Sequence, residues 1–190
     1  MSNGTAPQVN PAALGLISFG LTTVLLSLIN AGFLPAGGEP VVIPLAVALG
    51  GSAQVIAGIL EAKQGNTFAM TAFTAYGAFW WWFALLLVWG HNNIIDLKDA
   101  HSTIGAALVL WGVFTLLMWV STFKLSRLLF LIFLTLWVTF FLLGFGAILG
   151  MPALGKAGGL LGLVCGSLAI YGSFAAVANA TYGRKVLPTG

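Results

Sequence analysis

Polar side chains recur within the apolar stretches of this sequence, and two of them could do chemistry. At spacings i, i+4, i+8 and i+11, four residues share one face of a helix: Gly50, Gln54, Gly58 and Glu61. The Gln54 amide needs partners in apolar surroundings, so we expect it to face protein or water. Glu61 is either a proton-accepting group at the inner mouth of a pathway or an interfacial carboxylate beside Lys63. These residues alone leave both interpretations open.

A second helical segment carries two incompatible faces. Threonines repeat along one face at Thr67, Thr71 and Thr74. At about 100° per residue, Tyr76 points roughly 140–180° away from them. Both faces cannot line one narrow passage, so one of them must pack against other helices or another subunit.

The first apolar run begins with a helix-start signal. Asn10 is a good cap, and Pro11 suits the first helical position. Gly15 and Gly20 then remove side chains on either side of Phe19. Small residues permit close approach of a second helix, but they equally suit a narrow passage. Packing and a functional role stay open here.

Other kinds of site find little support. Cys165 stands alone and has no membrane-embedded histidine to activate it. The loop from Gly90 to Ser102 holds His91, His101 and two aspartates, but no recognised zinc spacing. There is no Gly-rich phosphate loop. We therefore predict no catalytic residue, no metal site, no cofactor and no enzymatic activity.

Composition places the chain in a membrane. It has 190 residues, of which 59% are hydrophobic and only 6% charged, whereas a soluble domain carries about 25% charged residues. The net charge of +3 is too small and scattered for nucleic-acid binding. The leader lacks the basic start of a signal peptide, so we expect the first apolar segment to be retained.

Six apolar segments approach the ~20 residues that span a bilayer. They predict an all-α membrane protein with a six-helix bundle over 11–179, a leader over 1–10 and a tail over 180–190. The segments run over about 11–29, 41–60, 67–89, 103–123, 125–149 and 156–179. Five basic residues lie on the side of the two chain ends and two on the other, which predicts cytoplasmic termini. On the sixth segment, a stripe of small residues predicts close helix packing, either within the bundle or between protomers: Gly158, Gly162 and Gly166.

Motifs along nearly the whole chain carry a family resemblance. The first reads Asn10-Pro11-Ala12-Ala13-Leu14-Gly15-Leu16, with Phe19 after it. Others are Gly50-Gly51 through Gln54, Ala57-Gly58 through Glu61, Gly65-Asn66-Thr67-Phe68, Thr71 to Gly77, Trp111 to Thr115, and a tail with Tyr171, Asn179 and Gly183 to Pro188. Together they resemble the succinate–acetate permease (acetate uptake transporter) family, whose signature is Asn-Pro-Ala-Pro-Leu-Gly-Leu. Ala13 departs from it, since the family usually has proline there.

The resemblance implies a multi-pass protein of the cell (inner or plasma) membrane that assembles as a homohexamer. Each subunit would carry its own pathway for acetate and related monocarboxylates, with succinate a further candidate. The implied constriction is Phe19, Tyr76 and Leu136. Further positions expected to line the pathway or affect selectivity are Asn10, Thr22, Thr23, Gln54, Glu61 and Ala169. If Tyr76 lines the passage, the threonine face packs elsewhere.

A narrow apolar constriction without water suits a small weak acid. We expect the Tyr76 hydroxyl, the Gln54 amide and the first N–H groups of the first helix to act as donors to the carboxylate. Burying an unpaired carboxylate is very costly, which favours proton-linked uptake over anion flow. The alternatives are a channel for another small solute, such as ammonium, and a membrane scaffold without flux.

Overall fold

Six helices form the framework of the part of the protein that the structure describes. The computed structural model describes residues 9–190, so most of the predicted 1–10 leader lies outside the described residues. Within that range the chain is all-helical, without a strand. The helices are α1 Ala12–Asn30, α2 Ala36–Lys63, α3 Thr67–His91, α4 His101–Thr122, α5 Arg127–Leu149 and α6 Pro152–Thr181. Each is long and apolar enough to cross a membrane, which confirms the six-helix prediction.

Local sequence signals explain where several helices begin and end. The Asn66 side chain caps α3 by accepting from the Ala69 N–H at 3.1 Å. Ser126 caps α5 in the same way through the Leu129 N–H at 3.2 Å. Gly150 ends α5 with a φ of 60°. Because proline is favoured in the first helical turn, α6 begins at Pro152, ahead of the predicted start at Lys156.

The second helix is longer and less regular than predicted. The stretch from Ala36 to Pro40, which precedes the predicted segment over 41–60, is already helical: a 3-10 turn covers Ala36–Gly38 and an α-helix follows. A π-helical segment then spans Ala46–Ala53. Within it, the Ser52 hydroxyl donates to the Val47 carbonyl, five residues back. This segment ends immediately before Gln54, so it sets the direction in which Gln54 points.

Close helix packing depends on small residues, as predicted. The glycine stripe of α6 packs within the bundle: Gly162 lies against the Ser27 side chain of α1, and a Cβ on Gly166 would fall 3.0 Å from the Gly20 carbonyl oxygen. Helix α6 therefore packs along α1 on one side and α5 on the other. Helix α4 packs mainly on α5, and α2 packs on α3, where Thr74 lies against Gly58. That contact agrees with the prediction that the threonine face packs elsewhere.

The outer surface of the bundle is apolar. On α4, Leu110 is 69% and Leu117 66% exposed. Side chains of this kind stabilise a protein in a hydrocarbon environment, where no water surrounds them. The exposed surface thus agrees with the spans derived from hydropathy.

The tail folds back onto the bundle. The Asn179 side chain accepts from the N–H groups of Val186 and Leu187, at 2.7 and 2.9 Å. The carbonyl of Thr189 accepts from the N–H of Leu128 at 3.0 Å. The last residues consequently lie beside the start of α5, at the same end of the bundle as the start of α1.

Candidate functional site: a cavity that ends at an aromatic throat

A cavity of about 230 Å³ enters the bundle at the end where α1 begins. Since a water molecule takes about 30 Å³ of liquid volume, this space can hold several waters or a small organic acid. Its mouth is lined by Asn10, Asn66, Ser126 and Thr189. Its walls are mainly apolar and aromatic, with few polar groups, which is typical of a small-molecule site.

The inner end of the cavity is formed by the three residues predicted for the constriction. Phe19 of α1 and Tyr76 of α3 face each other with ring centroids 5.9 Å apart. Leu136 of α5 lies in the same wall. All three are buried in the main core cluster. Three helices thus each contribute one apolar side chain, which we call the throat.

The pathway is filled beyond the throat. One turn further along α3, Phe79 packs edge-on against Phe140 of α5, with centroids 5.3 Å apart. Phe79 also packs against Trp111 of α4 at 5.3 Å. None of these three rings lines the cavity. The cavity is therefore a blind vestibule, and passage through the bundle requires these aromatic rings to move.

The Tyr76 hydroxyl does not point its proton at the cavity. It donates to Thr115 Oγ1 of α4 at 2.9 Å, and Thr115 in turn donates to the Trp111 carbonyl. The expectation that this hydroxyl donates to a substrate carboxylate is therefore wrong for this structure, because its single proton is already used. Tyr76 contributes its ring to the throat.

The Gln54 amide differs from the Tyr76 hydroxyl, because its polar atoms have no hydrogen-bond partner within residues 9–190. Its side chain is only 1% exposed, lines the cavity, and has no hydrogen-bond partner for either amide atom within residues 9–190. An unpaired buried amide costs about 1–3 kcal/mol, so such groups need an explanation. A bound polar ligand or water in the cavity would supply the missing partners.

The first N–H groups of α1 form hydrogen bonds with Asn10, at the start of the same helix. Asn10 Oδ1 accepts from the Ala12 N–H at 3.1 Å, and the Asn10 carbonyl accepts from the Ala13 N–H at 3.3 Å. Both of these N–H groups are already used, so the expectation that they serve an anion does not hold in this structure. Asn10 itself lines the cavity mouth, as predicted.

The Glu61 side chain lies behind the cavity wall. It is 2% exposed and is absent from the cavity lining. Its Oε2 accepts from Asn66 Nδ2 at 2.7 Å, and its carboxylate lies within hydrogen-bond reach of the Ala12 N–H. Glu61 thereby joins the α2–α3 turn to the start of α1.

The other predicted positions are buried outside the cavity wall. Thr22 donates to the Ser18 carbonyl of its own helix at 2.9 Å. Ala169 is fully buried in the core of α6. Thr23, one turn beyond Phe19, has a buried hydroxyl for which the described residues offer no partner. Thr23 is therefore the member of this group that could still contact a solute.

Sequence reasoning missed several contributors. Thr139, one turn beyond Leu136 on α5, also carries a buried hydroxyl that finds no partner in the described part of the chain. Phe133 lines the cavity, and so does Phe73, which helical periodicity puts on the same face of α3 as Tyr76. The ring of Phe73 lies over Gly15, which accounts for that glycine of the opening motif. The spacing of Thr139 from Leu136 was a usable signal for a shared face, whereas the Phe73 contact joins two helices and had none.

Comparison with known proteins agrees with this architecture. The family described as the GPR1/FUN34/yaaH family matches residues 3–189. The chain belongs to this family. A relative from Escherichia coli, named the succinate-acetate/proton symporter SatP, is 43% identical over 187 residues, which cover 98% of each chain. Acetate permease A of Emericella nidulans is 38% identical over 193 residues, covering 94% of this chain and 65% of that protein.

A solved structure has the same fold. It is described as the structure of the bacterial acetate channel SatP, and it superposes with a TM-score of 0.91. The two chains are 43% identical, with coverage of 96% of this chain and 99% of that one. This protein of the GPR1/FUN34/yaaH family is thus a multi-pass membrane protein with the six-helix fold of that channel.

Proposed function

We propose that this protein carries acetate and related small monocarboxylates across the cell membrane, with succinate a further candidate. The observation that supports this most directly is the combination of an apolar throat with one buried amide that lacks a partner among residues 9–190. Acetate has a methyl group that fits between Phe19, Tyr76 and Leu136, and a carboxylate that can accept from the Gln54 side chain. The names of the relatives, a succinate-acetate/proton symporter and an acetate permease, support the same substrate class.

Proton coupling follows from the lack of charge compensation at the throat. Lys, Arg and His are absent from the cavity lining within the described chain. Burying a carboxylate without a partner is far more costly than burying the neutral acid. We therefore propose that the solute crosses the throat together with a proton.

Orientation and assembly belong to the same proposal. The excess of basic residues beside the chain ends supports a cytoplasmic position for the cavity mouth. The apolar outer surface, including the exposed face of α4, offers area for lipid and for neighbouring copies in a homohexamer. Each subunit would hold its own vestibule, since residues of a single chain form the walls and the throat described above.

The test is uptake of radiolabelled acetate by the purified protein in liposomes, with pH gradient and membrane voltage imposed separately. We expect acetate to accumulate more strongly as the inward proton gradient increases. We also expect the external pH to rise during uptake. Accumulation that follows voltage and ignores pH would support anion conduction instead. Uptake of methylammonium without acetate would favour another solute, and no uptake above protein-free liposomes would favour a scaffold.

A further inference from the structure

The Tyr76–Thr115 hydrogen bond joins the throat to a helix that otherwise lies outside it. Helix α4 packs mainly on α5 and meets α3 at few positions. Among the side-chain hydrogen bonds of residues 9–190, no other joins α3 to α4. Both partners are buried, with Tyr76 3% and Thr115 0% exposed. A single polar contact therefore connects α4 to the throat residue on α3.

Rings enclose Tyr76 on several sides but do not fix its rotation. Phe114 of α4 lies 5.6 Å away, edge-on, and Phe133 of α5 lies 6.1 Å away. Aromatic contacts of this kind tolerate a range of geometries. A hydrogen bond at 2.9 Å, by contrast, requires the hydroxyl to stay in one direction.

A second hydrogen bond orients the Thr115 side chain for this contact. Its own proton goes to the Trp111 carbonyl at 2.7 Å, so its oxygen faces Tyr76 as an acceptor. That intrahelical bond fixes the Thr115 rotamer. The result is a chain of donors that runs from Tyr76 through Thr115 to the backbone of α4.

We propose that Thr115 is a positioning residue that sets the aperture of the throat by holding the Tyr76 ring across it. This inference rests on the proposed function. The ring can leave the pathway only when the hydrogen bond breaks, so the bond favours the closed throat. Solutes larger than acetate need a larger displacement of the ring than acetate does, so the hydrogen bond slows their passage most.

The experiment compares uptake of labelled acetate and labelled butyrate by the purified protein in the same liposomes. Thr115→Val keeps the shape of the side chain but removes the acceptor. We expect it to raise the butyrate-to-acetate ratio about fivefold, the change that corresponds to the net worth of one hydrogen bond. Tyr76→Phe should raise the ratio equally, and the double variant should show no further increase. Thr115→Ser keeps the hydroxyl and should restore the wild-type ratio.

A matched control is Thr122→Val, because Thr122 is also buried on α4 and donates only to the Trp119 carbonyl of its own helix. Loss of folded protein lowers both uptake rates together and leaves the ratio unchanged. An unchanged ratio in Thr115→Val, or an increase that persists in the Tyr76→Phe background, would overturn the inference. Failure of wild-type protein to take up acetate above protein-free liposomes would instead refute the proposed function.

A second measurement does not need transport. Thermal unfolding of the wild type, the two single variants and the double variant in detergent forms a double-mutant cycle. We expect the two substitutions to be non-additive, because each removes the same hydrogen bond. Additive changes in melting temperature would show that the two hydroxyls do not interact, and would also overturn the inference.

Discussion

The ring of Phe73 lies directly over Gly15, where a Cβ atom would come within 2.5 Å of the ring carbon Cζ. Gly15 belongs to the motif at the start of α1, and Phe73 lines the vestibule. The motif thus shapes the cavity wall through a side chain of another helix. A glycine is required because no other residue leaves room for the ring.

Gly15→Ala should therefore reduce acetate uptake. The added methyl group must displace the Phe73 ring, and the ring borders the space that the solute occupies. We expect uptake to fall several-fold, with a destabilisation of about 1–3 kcal/mol from overpacking. Gly155→Ala on α6 is the matched control, because a Cβ there has open space around it. Equal uptake by the two variants would contradict this role of Gly15.

Widening the throat should broaden its selectivity. Phe19→Ala or Leu136→Ala removes an apolar side chain from the narrow end of the vestibule, so we expect faster uptake of propionate and butyrate relative to acetate. Competition of unlabelled acids against labelled acetate measures the change. Phe33→Ala serves as the control, since Phe33 is 64% exposed and lies outside the helices. Unchanged acid preference in both throat variants would count against a constriction at these residues.

Gln54→Met should separate binding from stability. Methionine keeps the length of the side chain and removes an amide that has no partner in the described residues. Since leaving buried polar atoms unpaired is costly, the variant should unfold at the same temperature as the wild type or higher. Acetate KM should rise about tenfold if the amide donates to the carboxylate. An unchanged KM, measured by concentration-dependent uptake, would remove Gln54 from the binding site.

Glu61 is predicted to hold the cavity mouth in place and not to carry the transported proton. Glu61→Gln keeps an oxygen that can accept from Asn66, so uptake and its response to a proton gradient should remain near those of the wild type. Glu61→Leu leaves the Asn66 amide without its acceptor and should destabilise the protein by about 1–3 kcal/mol. If Glu61→Gln took up acetate equally with and without a proton gradient, Glu61 would be the proton carrier instead.

The helices and most of their ends follow from the sequence, whereas the three throat positions were implied by the family resemblance. Hydropathy identifies the spans because lipid requires each backbone polar group to be satisfied within its own helix. Asn66 and Ser126 act as caps through residues three positions away, which is a local interaction. The predicted start of α6 at Lys156 lies after the observed start at Pro152, because proline is favoured in the first turn of a helix although it interrupts a helix further in.

Tertiary structure alone decided which polar groups remain free. From the sequence, we expect both the Tyr76 hydroxyl and the Gln54 amide to be buried donors near one pathway. The fold brings Thr115, 39 residues further along the chain, to the Tyr76 hydroxyl, whereas no described residue is a partner for Gln54. Likewise, the π-helical segment over Ala46–Ala53 sets the direction of Gln54. Hydrogen-bond partners on different helices depend on how the helices pack, and helical periodicity carries no information about that.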